Sequence, residues 1–137
     1  MVSRLFIGTC VALSFLEVGC TTIAERQQKF GMPSNYRQLI ARKLTQEQTS
    51  PISSATISEP VEVFAGAING GGTRPIICAT TVVEGRLLPL RTEWIFTFEN
   101  GQLSAQNSNG PMWLQVGAIW CAGVAESPFP EALKRNG

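Results

Sequence analysis

Hydrophobic and polar positions alternate most cleanly over residues 92–98, where Trp94, Phe96 and Phe98 take every second place and so share one face of a strand. Asn100 and Gly101 follow, the pair favoured by a two-residue type I′ turn because both of its central residues need positive φ. Closing that turn sets Glu99 opposite Gln102, Phe98 opposite Leu103 and Phe96 opposite Ala105, which carries the apolar face onto a second strand. One face of this hairpin is expected to meet a core and the other water.

Upstream, two β-branched apolar runs, 61–68 and 76–83, flank a glycine-rich loop at 69–75 and predict a second hairpin. That loop has neither the Gly-Lys-Ser/Thr ending of a P-loop nor the glycine spacing of a dinucleotide fingerprint, so its glycines do not point to phosphate. Residues 55–58 predict a short strand stopped near Pro60, and 45–54, rich in Thr, Ser and Gln and holding Pro51, a loop. A helix is expected from a cap at Ser34 or Asn35 to about Leu44, with Tyr36, Leu39, Ile40 and Leu44 as its stripe and Arg42 and Lys43 in its last turn. Its basic residues Arg37, Arg42 and Lys43 are expected on a solvated face rather than against lipid headgroups.

Residues 112–121 are apolar on both faces; Trp113, Val116, Ile119 and Trp120 favour a strand there. Pro128 and Pro130 then bracket Phe129 in an extended tail, which either docks its phenylalanine on the domain or presents it to a partner. The elements add up to an α+β fold, one N-terminal helix on an antiparallel sheet of four or five strands. Its expected core holds Trp94, Phe96, Phe98, Leu103, Val63 and Ile77 or Cys78.

Composition narrows the chemistry. A formal charge of +1 leaves no basic footprint for nucleic acid. Histidine is absent and every acidic residue is a glutamate, so neither a Ser/His/Asp arrangement nor an imidazole zinc site can be assembled. No catalytic, cofactor-binding or metal-binding residue is assigned, and the protein is expected not to be an enzyme. Catalysis would require two of Glu62, Glu84, Glu93 and Glu99 to converge in one pocket, and Glu93 and Glu99 fall at opposite ends of one strand.

The amino terminus carries an address. Arg4 precedes an apolar run over 5–16, of signal-peptide length and too short to span a membrane comfortably, so residues 1–19 are expected to be an export signal. Val18-Gly19-Cys20 resembles the end of the lipobox of bacterial lipoproteins, with Glu17 standing where that class usually has leucine. The resemblance implies cleavage before Cys20 and acylation of its thiol and amine, with 20–33 as a tether and 34–137 as the domain. Thr21, where that class uses aspartate for inner-membrane retention, implies the outer membrane. The alternative is cleavage after Ala24 and a soluble product without Cys20.

Cys10 leaves with the signal and Cys20 is the acylation candidate, which leaves Cys78 and Cys121 as an even pair in an oxidising compartment and predicts a disulfide. Two buried thiols or a redox pair are the competing readings, although no Cys-x-x-Cys is present.

The helix around Tyr36-Arg37, the segment 50–60, the Cys78 strand, Phe96-x-Phe98 before Asn100-Gly101, and Cys121 followed by Pro128-Phe129-Pro130-Glu131 are similar in order to small uncharacterised lipoproteins of alphaproteobacteria. The resemblance implies lipidation, an envelope location and a compact disulfide-tied domain, and carries over no catalytic or ligand residue. The expected function is therefore a binding or structural module held to the periplasmic face of a membrane by its lipid, with an envelope protein as partner. A soluble secreted inhibitor or ligand-binding protein is the alternative, and clustering of the 69–75 and 106–111 loops at one end of the sheet would favour it.

Overall fold

Pro51 is the first strong helix breaker after Asn35, and the helix α1 (Tyr36–Glu47) uses most of the interval. The computed structural model describes residues 30–64, 72–110 and 118–133. The expected export signal, Cys20, most of the expected tether and the last four residues lie outside them. Asn35 is the N-cap by position but its side chain makes no capping bond; its carbonyl accepts from the Gln38 and Leu39 amides at 3.0 and 3.3 Å. The C-terminus runs three residues past the expected Leu44, because Thr, Gln and Glu are weak breakers, so the last turn holds no basic residue. Lys43 instead pairs with Glu47 at 2.7 Å across one turn. Tyr36, Ile40, Ala41 and Leu44 are buried and hold the helix on the sheet.

Six strands follow among the described residues: β1 (Ile52–Ser58), β2 (Val61–Phe64), β3 (Thr73–Val83), β4 (Leu90–Glu99), β5 (Gln102–Asn107) and β6 (Glu126–Pro128). They form one antiparallel sheet in the order β5-β4-β3-β1-β6, with β2 also on β3. The α+β class stands; the sheet has six strands rather than four or five, and the helix lies inside the chain rather than at its start.

The β4–β5 register is the expected one, pairing Glu99 with Gln102, Phe98 with Leu103 and Phe96 with Ala105. Asn100 and Gly101 have φ of 51° and 78°, as their turn demands. β1 begins at Ile52, three residues early, with an irregularity between Ile52 and Ser54. β1 and β2 share β3 as partner, and the ladder breaks where the chain turns at Glu59 and Pro60. There the Cys78 amide donates to the Ser58 hydroxyl at 2.9 Å, so the buried backbone group stays satisfied.

Two clusters lie on opposite faces of the sheet. The larger places Trp94, Phe96, Phe98, Ile57, Ile77 and Phe129 against α1, with Leu103 and Ala105 at its margin. The smaller consists of Ile76, Cys78 and Ile95, covered by Val61, Val63, Trp120, Cys121 and Val124. Ile95 is thus buried, and the middle of the second β4 face meets a core where water was expected. A single helical turn, Ala118–Trp120, stands where a strand was expected over 112–121; residues 112–117 of that run are outside the described residues. The tail is not loosely extended either: β6 pairs with β1, and a 3-10 turn (Pro130–Leu133) follows. Phe129 between them is completely buried.

Gly31 joins the N-terminal segment to this frame. It has φ of +66°, and a Cβ there would sit 2.4 Å from the Gly101 amide nitrogen. Gly31→Ala is expected to cost about 1–3 kcal/mol through the left-handed backbone and that backbone clash, read as a lower urea midpoint at unchanged m-value.

Candidate functional site

The second face of the sheet gathers the charged side chains. Register places Thr80 of β3 directly opposite Glu93 of β4 and, on its other side, Thr56 of β1. β6 adds Glu126 beside them through its pairing with β1. The Glu126 carboxylate accepts from the Thr56 hydroxyl and, at 3.4 Å, from the Thr80 hydroxyl. Arg91 reaches Glu93 at 3.4 Å. Between these groups and residues 121–124 lies an open cleft of about 350 Å³, lined among others by Thr80, Arg91, Glu93, Gly123 and Glu126.

The Cys78–Cys121 bond is one wall of this site. Its sulfurs are 2.01 Å apart and the Cα atoms 5.8 Å, and it fastens residues 121–124 onto the sheet. Cys78 is wholly buried and Cys121 half-buried. The expected disulfide is therefore present. A second cleft of about 320 Å³ opens on the helix side, between the end of α1 and the start of β4. Two of its lining residues are tied to the buried Thr81 hydroxyl, which accepts from the Trp94 indole at 2.9 Å and from the Gln48 amide at 3.2 Å.

The four glutamates considered for catalysis do not meet. Glu93 lines the disulfide-side cleft; Glu99 pairs with Arg74 at the far end of β4, Glu62 lies on β2 and Glu84 in the β3–β4 connection. The carboxylate that does join Glu93 is Glu126, which only the non-local β1–β6 pairing brings there. Its neighbours Ser127 and Pro128 give no strand signal of their own. The side chains lining the cleft include two carboxylates, one guanidinium and the Thr80 hydroxyl as hydrogen-bonding groups. Cys78 and Cys121 are bonded to each other, so neither offers a thiol to the cleft.

The helix side is structural. Arg37 is not merely solvated: it bonds Glu131 at 3.1 Å, donates to the Pro128 carbonyl at 3.4 Å and lies over the Phe129 ring with its guanidinium carbon 5.1 Å from the centroid. The Glu131 carboxylate holds that guanidinium protonated even above its ordinary range. Tyr36 donates to Glu59 at 3.2 Å. Burial pushes the Tyr36 phenol up, and the nearby Glu59 charge pushes it further. The folded state therefore holds this proton more tightly than the unfolded chain. The resulting stability is complete below the ordinary phenol value of about 10 and is lost as pH rises through the raised one. Tyr36 is the chain's one tyrosine, so phenolate absorbance reads it alone: its midpoint is expected above that of the urea-unfolded chain.

No protein family, curated protein or solved structure matches the chain. The geometry and the amino-terminal sequence are thus what bears on function.

The loop criterion also has an answer at the described anchors. β3 begins at Thr73, beside the Glu99 end of β4, whereas β5 ends at Asn107, opposite Trp94 and toward the Leu90 end. The strand ends that carry the 69–75 and 106–111 loops point in opposite directions.

Proposed function

We propose that the protein is an exported, non-enzymatic binding module of the bacterial envelope, acylated at Cys20 and held to the periplasmic face of the outer membrane. The observation that carries this reading is the Cys78–Cys121 disulfide, which belongs to an oxidising compartment of the kind an export signal reaches. The beginning of the domain agrees with it: residues 32–36 already pack on the core through Met32 and Tyr36, leaving about ten residues after Cys20 as a tether. Its lipid anchors it to the membrane, and its partner is another envelope component. The disulfide-side cleft, with Glu93, Glu126 and Arg91 at its rim, is the surface offered to that partner. Neither nucleic acid nor a cofactor enters the reading.

Fractionation of the native host tests it. Cys20→Ala is expected to move the protein from the membrane pellet to the soluble fraction, with the disulfide intact. A wild-type protein already soluble would instead support the secreted reading, with cleavage after Ala24.

A further inference from the structure

The β3–β4 connection and the first residue of β4 carry four successive apolar residues, Leu87, Leu88, Pro89 and Leu90, at the tip of the sheet. Their side chains are left in water to an unusual degree: Leu87 is 95% exposed, Leu88 73% and Leu90 59%. The loop is nonetheless a shaped one. A Cβ at Gly85 would stand 2.2 Å from the Leu88 carbonyl oxygen, so the chain folds back tightly there and thrusts Leu87 and Leu88 outward. Arg86 and Arg91 bracket the apolar run immediately on either side, both exposed. Among the described residues Arg86 makes no ion pair, and Arg91 only the 3.4 Å contact with Glu93.

From this we infer that the Leu87–Leu90 tip inserts into the interfacial layer of a phospholipid bilayer, with Arg86 and Arg91 binding headgroup phosphates. Three leucines expose on the order of a few hundred Å², well under the roughly 800 Å² per partner that a stable protein interface buries. A second copy therefore has too little to hold. A bilayer accepts a small convex apolar tip and places phosphates at the level of the flanking guanidinium groups, which bind them with paired N–H donors. The tip lies at the Leu90 end of β4, whereas Gly31 enters the domain at the Asn100-Gly101 turn, the other end. An anchor at Cys20 and a contact at Leu87 would thus hold the sheet along the membrane rather than upright from it. The inference itself stands on the loop and does not require the anchor.

The test reads the loop, so that binding through the amino terminus does not enter. Full-length chains carrying an environment-sensitive fluorescent amino acid at position 87, or at position 43 on α1, are mixed with vesicles of phosphatidylethanolamine and phosphatidylglycerol. The position-87 emission is expected to shift to the blue and to be quenched by brominated acyl chains, the position-43 emission to do neither. Arg86→Glu is expected to reduce the shift at position 87. An unshifted position 87 on chains that sediment with the vesicles would overturn the inference. So would a blue shift that grows with protein concentration in the absence of lipid, which would mean a second copy.

Discussion

Replacing Cys78 and Cys121 together by alanine is expected to destabilise the domain by about 4 kcal/mol, the chain-entropy value for a cross-link closing a loop of this length. The bond spans 43 positions, and it ties the turn at Cys121 to the fully buried middle of β3. Without it, Trp120, Cys121 and Val124 lose the cross-link that fastens them over Ile76 and Ile95. Typical stabilities are about 5–15 kcal/mol, so a loss of that size takes a large share and is visible as a fall in Tm. Reduction of the wild-type protein should produce the same fall. The first readout of opening is alkylation of Cys121, half-buried, ahead of Cys78, which is wholly buried.

Phe129→Ala is expected to cost a comparable amount, about 3–5 kcal/mol, because a fully buried aromatic leaves a cavity that its surroundings only partly fill. Phe129 is also the point where the end of the chain is fixed. Its amide donates to the Ala55 carbonyl at 2.9 Å, its ring sits in the main core beneath Arg37, and the 3-10 turn after it packs on α1. Removing the ring should free β6 from β1 and carry Glu126 out of the cleft. Amide exchange at Ser127 and Phe129 would rise toward that of an unfolded segment while the β3–β4 amides stay protected. Phe129→Leu, keeping much of the volume, should recover a good part of the loss; Arg37→Ala, which removes a half-exposed ion pair, should cost much less.

The parts of this fold that were legible in the sequence are those set by neighbours in the chain. Trp94, Phe96 and Phe98 announce their face through period-two alternation, and Asn100-Gly101 fixes the register because no other two-residue connection is as cheap. The start of α1 was legible for the same reason, and its end was not, since Thr45, Gln46 and Glu47 are tolerated in a helix as well as in a loop. What escaped was set by distant partners. β6 is three residues of Glu, Ser and Pro with no hydrophobic pattern; pairing with Thr56, Ile57 and Ser58 makes it a strand, and an edge position tolerates its proline. The burial of Ile95 depends on segments brought over it by β2 and by the disulfide, neither of which alternation can reveal.

The same distinction runs through the candidate site. Cys78 and Cys121 were legible as a pair because two cysteines in a domain that its amino terminus marks for export are expected to bond. The meeting of Glu126 with Glu93 was not, because it passes through three strand pairings, β6 with β1, β1 with β3 and β3 with β4. The exposed Leu87 and Leu88 were visible as apolar residues, but only the fold shows that no part of the sheet covers them.

Export, acylation and the disulfide together make the central claim, and intact mass of the protein recovered from its native host's membranes tests them at once. The account predicts a chain beginning at Cys20, heavier by its acyl groups, that takes up no alkylating reagent until reduced and two equivalents afterwards. An unmodified chain beginning near Glu25 in the soluble fraction, or one whose Cys78 and Cys121 react before reduction, would contradict it.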